Sequence, residues 1–122
     1  MTNILIVEDE KALNQAYEMI LEKAGYKVMG VYDGLEALEA VKEFHPDLIL
    51  LDLRMPNMSG NEFLAKYDAK NKHPKVKIIV FSNLDSKKDI DEVYSLGATR
   101  YVLKAWASPR ELLQLVSDTL KA

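Results

Sequence analysis

Five short apolar runs alternate along the chain with stretches whose apolar residues recur at helical spacing. The runs have the length of strands and lie at residues 4–7, 26–31, 48–51, 76–81 and 101–103. Strands that are apolar throughout are typical of a parallel sheet whose two faces are both covered by connecting helices. The alternation therefore predicts a doubly wound, three-layer α/β fold with five strands and five helices, joined by right-handed crossovers.

Capping signals mark the ends of the predicted helices. Asp33, Ser59 and Ser108 are each followed three residues later by Glu, which is the pattern of a capping box at a helix start. Gly25 follows the apolar face of the first helix at the position of a left-handed cap. The polar run at residues 68–75 predicts a loop between the third helix and the fourth strand.

Composition narrows the classes of function. A chain of 122 residues has the length of one domain, so we expect a single domain over residues 1–122. A net charge of −3 disfavours direct binding of nucleic acid. The lack of cysteine excludes a disulfide, a thiolate metal site and a cysteine nucleophile. No apolar stretch is long enough to cross a membrane, and the N-terminus lacks a signal peptide, so we expect a cytoplasmic protein without membrane insertion.

Polar residues stand at the carboxyl ends of four predicted strands, where parallel α/β sheets bind their ligands. Glu8 and Asp9 follow the first strand, Asp52 the third, Ser82 the fourth and Lys104 the fifth. Three carboxylates at one edge repel one another unless a cation lies between them, and a hard divalent ion such as Mg²⁺, or Mn²⁺ in its place, prefers oxygen ligands. A hydroxyl and an ammonium group beside the ion would bind phosphoryl oxygens.

Over its whole length the chain resembles the receiver domains of two-component response regulators, including the chemotaxis regulators. The resemblance is carried by the acidic run 8–10, by Asp52 within residues 51–56 (LDLRMP), and by Ser82 and Lys104. It implies a flavodoxin-like (βα)5 fold whose parallel strands are ordered 2-1-3-4-5. It also implies a phosphorylation-activated signalling switch.

The resemblance implies a role for each residue at this edge. Asp52 would accept a phosphoryl group from a sensor histidine kinase or a phosphotransfer protein. Asp9 would bind Mg²⁺ directly and Glu8 through water, while Asp52 and the backbone carbonyl of Arg54 complete the protein ligands. Such a domain is not a conventional enzyme, although it catalyses its own phosphoryl transfer and dephosphorylation.

Further residues would carry the signal away from the acceptor. Ser82 would hydrogen-bond the phosphoryl group, Lys104 would form an ion pair with it, and the ring of Tyr101 would turn inward on activation. The face formed by the fourth helix, the fifth strand and the last helix would then contact a downstream protein target. The resemblance implies a monomer or a phosphorylation-dependent dimer.

The chain departs from the family pattern near Lys104. Ala105 follows it where receivers have a proline after a cis bond, so we expect a cis Lys104–Ala105 bond only if the surrounding loop enforces it. Asn83 stands where a small residue is common, which affects access of partners and phosphodonors. Trp106 is a candidate anchor for a partner, and packing against the last helix is its alternative role.

Functions of other classes remain as alternatives. The runner-up is a receiver-like module that binds proteins without phosphorylation. Such a module is expected to have other residues at the acidic, acceptor or lysine positions. A phosphohydrolase usually has a second acid two residues after its nucleophile, where this chain has Arg54. In a flavodoxin-type protein the acidic run 8–10 would repel the cofactor phosphate. Because the sequence ends at Ala122 after the last helix, we expect a stand-alone or excised receiver without an effector domain.

Overall fold

A five-stranded parallel sheet forms the centre of the protein. The computed structural model describes residues 1–83, 86–104 and 108–122. The strands are β1 (Asn3–Val7), β2 (Lys27–Val31), β3 (Leu48–Leu51), β4 (Lys77–Ser82) and β5 (Arg100–Leu103). Their order in the sheet is β2-β1-β3-β4-β5, and every pairing is parallel. The predicted flavodoxin-like topology is therefore confirmed.

Helices cover both faces of the sheet. They are α1 (Lys11–Lys23), α2 (Gly34–Phe44), α3 (Gly60–Tyr67), α4 (Ala69–Lys72), α5 (Lys87–Ser95) and α6 (Pro109–Lys121). Side chains alternate along each strand, so the central strands contribute to two separate cores. One core lies under α2, α3 and α5, and the other lies under α1 and α6. Among the described residues no helix is long and apolar enough to cross a membrane.

The caps follow the sequence signals closely. Ser59 and Ser108 each form a complete capping box, with Glu62 and Glu111 respectively. Asp33 accepts a hydrogen bond from the Glu36 N–H at 2.8 Å, but the Glu36 carboxylate accepts from the N–H of Tyr32, one residue before the cap. Gly25 adopts a φ of 98°, as expected for the residue after a helix end.

The loop prediction for residues 68–75 is wrong in part, because α4 makes one helical turn there. Asp68 ends α3 in the left-handed conformation, with a φ of 55°, and its carbonyl then accepts a hydrogen bond from the Lys72 N–H at 2.8 Å. Ala69, only 2% exposed, is the buried residue of this turn. A turn with a single apolar residue has no periodicity, so the sequence pattern could not reveal it.

Candidate functional site

The predicted site residues meet in one cleft at the carboxyl edge of the sheet. Pairing of Val7 with Leu51 brings Glu8 and Asp52 side by side, because each directly follows its strand. Ser82 is the last residue of β4 and lies opposite Leu103 of β5. The cleft has a volume of about 310 Å³ and is lined by these side chains together with Asp9, Glu10, Arg54, Asn83 and Lys104.

Lys104 bridges two of the carboxylates. Its Nζ lies 2.5 Å from Glu8 Oε1 and 3.1 Å from Asp52 Oδ2. The side chains of Glu8, Asp52 and Lys104 are 3%, 8% and 14% exposed, so water screens this triad weakly. The second oxygen of Glu8 accepts a hydrogen bond from the N–H of Glu10 at 3.1 Å. Both carboxylate oxygens of Glu8 are thus held by the protein itself.

Burial changes the acidity of these groups. Burial raises the pKa of Glu8 to about 7, although the hydrogen bond from Lys104 acts in the opposite direction. Burial also raises the pKa of Asp52, and the Lys104 charge offsets part of that change. For Lys104, burial alone would lower the pKa, but the hydrogen bond to Glu8 and the charge of Asp52 outweigh it and raise the pKa. The cleft accordingly favours additional positive charge.

The acidic side chains fit a hard divalent cation. One oxygen from each of Glu8, Asp9 and Asp52 lies within 4.8 Å of the others. Asp9 is exposed, and no hydrogen bond to its carboxylate is present in the described part of the chain, so its oxygens face the cleft without competition. Carboxylate oxygens at this spacing are the donor set that Mg²⁺ prefers.

Asn14, which the sequence reasoning missed, holds the loop that carries the acids. Its side chain is fully buried, and Nδ2 donates to the backbone carbonyls of Glu8 (3.0 Å) and Val31 (2.8 Å). A signal for it exists in the sequence, because Asn14 stands three residues before Tyr17 and seven before Leu21 on the buried face of α1. A polar residue on that face needs a buried partner.

The loop after Asp52 is fixed by close packing against α3 and by a contact with α2. The N–H of Gly60 donates to the carbonyl of Leu53 at 2.9 Å. A Cβ at position 60 would lie only 2.5 Å from the Asp52 carbonyl oxygen, so glycine is required by this approach. Asn57 in the same loop donates to the side chain of Asp33, the cap of α2, at 2.7 Å.

Tyr101 lies on β5, away from the floor of the cleft. It is half-buried, packs against the core under α2, α3 and α5, and pairs with Val80. Its backbone N–H donates to the hydroxyl of Tyr94 on α5 at 3.1 Å. The expectations for Ala105 and Trp106, and with them the conformation of the Lys104–Ala105 bond, lie outside the described residues.

Comparison with known proteins agrees with this geometry. The family model of the response regulator receiver domain matches residues 4–117 of the sequence. The chain is similar to a CheY-like receiver domain protein from Methanospirillum hungatei, with 30% identity and a TM-score of 0.91 over 99% of this chain and 94% of that one. It is also similar to the chemotaxis protein CheY4 of Vibrio cholerae, with 28% identity and a TM-score of 0.89 over 98% of each chain.

A third similar structure is the receiver domain of a signal transduction histidine kinase from Syntrophus aciditrophicus, with 27% identity and a TM-score of 0.86 over 99% of this chain and 91% of that one. The chain belongs to the response regulator receiver domain family. Receiver domains act in phosphorylation-dependent two-component signalling, where histidine kinases phosphorylate them and they act on downstream targets. They generally bind Mg²⁺ at an acidic cluster, and Glu8, Asp9 and Asp52 form such a cluster here.

Proposed function

We propose that Asp52 accepts a phosphoryl group from a histidine kinase or a phosphotransfer protein in a reaction that needs Mg²⁺. The observation that carries this proposal is the buried Asp52 carboxylate, paired with Lys104 at 3.1 Å beside a cluster of acids. Residues 1–122 would act as a single receiver domain. Phosphorylation would change the conformation of the face formed by α5, β5 and α6 and so regulate a protein partner. The domain would act as a monomer or as a phosphorylation-dependent dimer.

The environment of each acid favours Asp52 as the acceptor. Lys104 and the Glu10 N–H contact the two oxygens of Glu8 at 2.5 and 3.1 Å, whereas the contacts of Lys104 and the Arg54 N–H with the two oxygens of Asp52 are longer, at 3.1 and 3.4 Å. Asp9 is exposed to solvent, whereas Asp52 lies at the end of the central strand β3. In the transfer, an Asp52 oxygen forms a bond to phosphorus while the bond from phosphorus to the donor histidine nitrogen breaks, and the imidazole leaves with its electron pair.

The same contacts divide the proposed metal ligands into two kinds. Asp9 and Asp52, with the backbone carbonyl of Arg54, would bind Mg²⁺ directly. Glu8 would bind it through water, because its oxygens are held more closely by Lys104 and the Glu10 N–H than those of Asp52 are by their partners. When bound, the ion would neutralise the charge that builds up on the phosphoryl oxygens.

Lys104 and Ser82 would stabilise the phosphorylated form. Lys104 is already held at the acceptor, so its ammonium would pair with a phosphoryl oxygen at little cost in side-chain entropy. Ser82 is buried and lines the cleft, and its hydroxyl would donate to another phosphoryl oxygen. The added charge of about −1.5 to −2 would therefore bias the loop that follows Ser82.

Tyr101 and Tyr94 would transmit this change to the face formed by α5, β5 and α6. The hydrogen bond from the Tyr101 N–H to the Tyr94 hydroxyl joins the edge of β5 to α5. The inward turn of the Tyr101 ring would take place beside this contact between two elements of the face. Trp106 remains a proposed anchor for the partner.

Intact-mass measurement after incubation with acetyl phosphate and Mg²⁺ tests the proposal. We expect one phosphoryl group on the wild type, none on Asp52→Asn, and none on the wild type in EDTA. Asp118→Asn is the matched control, because Asp118 is an exposed carboxylate on α6, outside the residues that line the cleft. If the folded wild type takes up no phosphoryl group from acetyl phosphate or from a phosphorylated kinase, the proposal fails in favour of a phosphorylation-independent binding module.

A further inference from the structure

The groove between α2 and the α3–α4 segment combines an apolar floor with basic sides. Its floor is formed by Leu38, Val41 and Tyr67, and lysines from α2, α3 and α4 line its sides. We propose that this basic groove docks an acidic peptide segment of a partner protein through one apolar anchor side chain. The site is separate from the cleft at Asp52, with which it shares no lining residue.

Charge is the first argument for an acidic partner. The segment 66–77 contains five lysines and His73 but only one acid, Asp68, although the whole chain carries a net charge of −3. Among the described residues, no ion pair involves the lysines at positions 66, 70, 72 and 75. Lys42 on the opposite wall pairs with Glu39 of its own helix. Of the three lysines that line the groove, Lys66 and Lys72 are therefore available to an external anion.

The floor is the second argument, because it calls for an apolar group as well as charge. Leu38 and Val41 are only partly buried, and they extend the core surface into the groove. A volume of about 280 Å³ has room for a large side chain and its neighbours in a peptide. An apolar anchor surrounded by polar contacts is the usual arrangement of an energetically important interface residue.

A peptide fits the groove better than a nucleic acid does. The ring of His73 is stacked on the ring of Tyr67 at 4.1 Å with an interplanar angle of 3°, so this face of Tyr67 is covered and cannot stack on a base. The remaining floor is aliphatic, and the net charge of −3 opposes a long polyanion. A Leu or Phe side chain flanked by Asp and Glu meets both features of the groove.

The groove is also held rigidly before any ligand binds. The rings of Phe63, Tyr67 and His73 form a continuous stack, in which the ring centroids of Phe63 and Tyr67 lie 5.4 Å apart. The His73 N–H donates to the carbonyl of Ala69 at 3.2 Å, and the Val76 N–H donates to the carbonyl of His73 at 3.1 Å. A preformed groove loses little conformational entropy on binding. α3 runs from the acceptor loop to this groove.

Fluorescence anisotropy with a labelled peptide of Asp and Glu residues and one central Phe tests the proposal at low salt. The double variant Lys66→Glu/Lys72→Glu is expected to bind about tenfold more weakly than the wild type. Lys23→Glu/Lys121→Glu is the matched control, because all four lysines are exposed and lie in the last turn of a helix. This control changes the net charge equally and should bind within about twofold of the wild type.

Four results would overturn the proposal. The first is an absence of binding by the wild type, and the second is an equal loss in both double variants, which would indicate only a general charge effect. The third is tighter binding of a labelled single-stranded DNA than of the peptide. A peptide with Ser in place of Phe should bind more weakly, and equal binding would contradict the anchor. Circular dichroism and phosphoryl incorporation from acetyl phosphate establish that each variant is folded.

Discussion

Replacing Asn14 with alanine removes the side chain that holds the acidic loop, and its cost follows from the contacts. The change leaves the Glu8 carbonyl without the amide donor, and a buried unpaired carbonyl costs about 1–3 kcal/mol. The Val31 carbonyl loses the same donor but keeps the Glu8 N–H at 3.1 Å, so its loss is about 1 kcal/mol. Alanine returns about 0.6 kcal/mol through its higher helix propensity. It also removes Asn14 Oδ1, a buried oxygen without a hydrogen-bond partner among the described residues, which returns about 1 kcal/mol. The net destabilisation is expected to be about 1–2 kcal/mol.

Urea denaturation followed by circular dichroism measures this difference in the free energy of unfolding. Asn71→Ala is the control, because within the described part of the chain the exposed Asn71 side chain donates only to Asp68, and its loss should cost under about 0.5 kcal/mol. We also expect Asn14→Ala to need more Mg²⁺ for half-maximal phosphoryl incorporation, since the loop carrying Glu8 and Asp9 is less well held. An Asn14→Ala protein within about 0.5 kcal/mol of the wild type would refute the reasoning.

Two further substitutions test how α2 and α3 support the site. Asp33→Ala should lower the free energy of unfolding by about 1 kcal/mol at neutral pH. Because hydrogen bonds from Glu36 and Asn57 lower the Asp33 pKa, this difference should shrink as the pH falls below about 4. A difference in thermal denaturation that does not depend on pH would contradict this. Gly60→Ala should destabilise the protein by about 1–3 kcal/mol and slow phosphoryl incorporation, because the new Cβ meets the Asp52 carbonyl. Unchanged stability and rate would contradict this and show that the loop can shift freely.

The sequence predicted the main elements of the fold because their signals are local. The central strands β1, β3 and β4 are apolar on both faces, which only a sheet covered on both sides explains. The capping boxes at Ser59 and Ser108 lie within four residues of sequence and form as predicted. The one-turn helix α4 carries no such signal, since it depends on burial of Ala69 against the rest of the protein.

The residues at the carboxyl edge were predictable, but their contacts were not. Parallel strands end at one edge, so Glu8, Asp52 and Lys104 had to approach one another. Their order along the sheet does not tell which carboxylates Lys104 contacts, or that both oxygens of Glu8 are engaged. Those facts depend on loop conformations, and the support from Asn14 depends on how α1 packs against two strands.

The basic groove shows a second limit of reading a sequence. The lysines at positions 70, 72 and 75 lie in the polar run 68–75, which alone is typical of a loop. The apolar floor comes from Leu38 and Val41, which lie about thirty residues earlier on α2. Only the packing of α2 against α3 brings the charged and apolar parts together.

Chemical location of the phosphoryl group tests the assignment of Asp52 most directly. The protein is phosphorylated with acetyl phosphate and Mg²⁺ and treated with borohydride, which reduces an aspartyl phosphate to homoserine, and the peptides are then sequenced by mass spectrometry. We expect homoserine at position 52 alone, and none in a sample prepared with EDTA. Homoserine at Asp9 or at another acid would contradict the proposed role of Asp52. An equal yield without a divalent metal would contradict the proposed need for Mg²⁺.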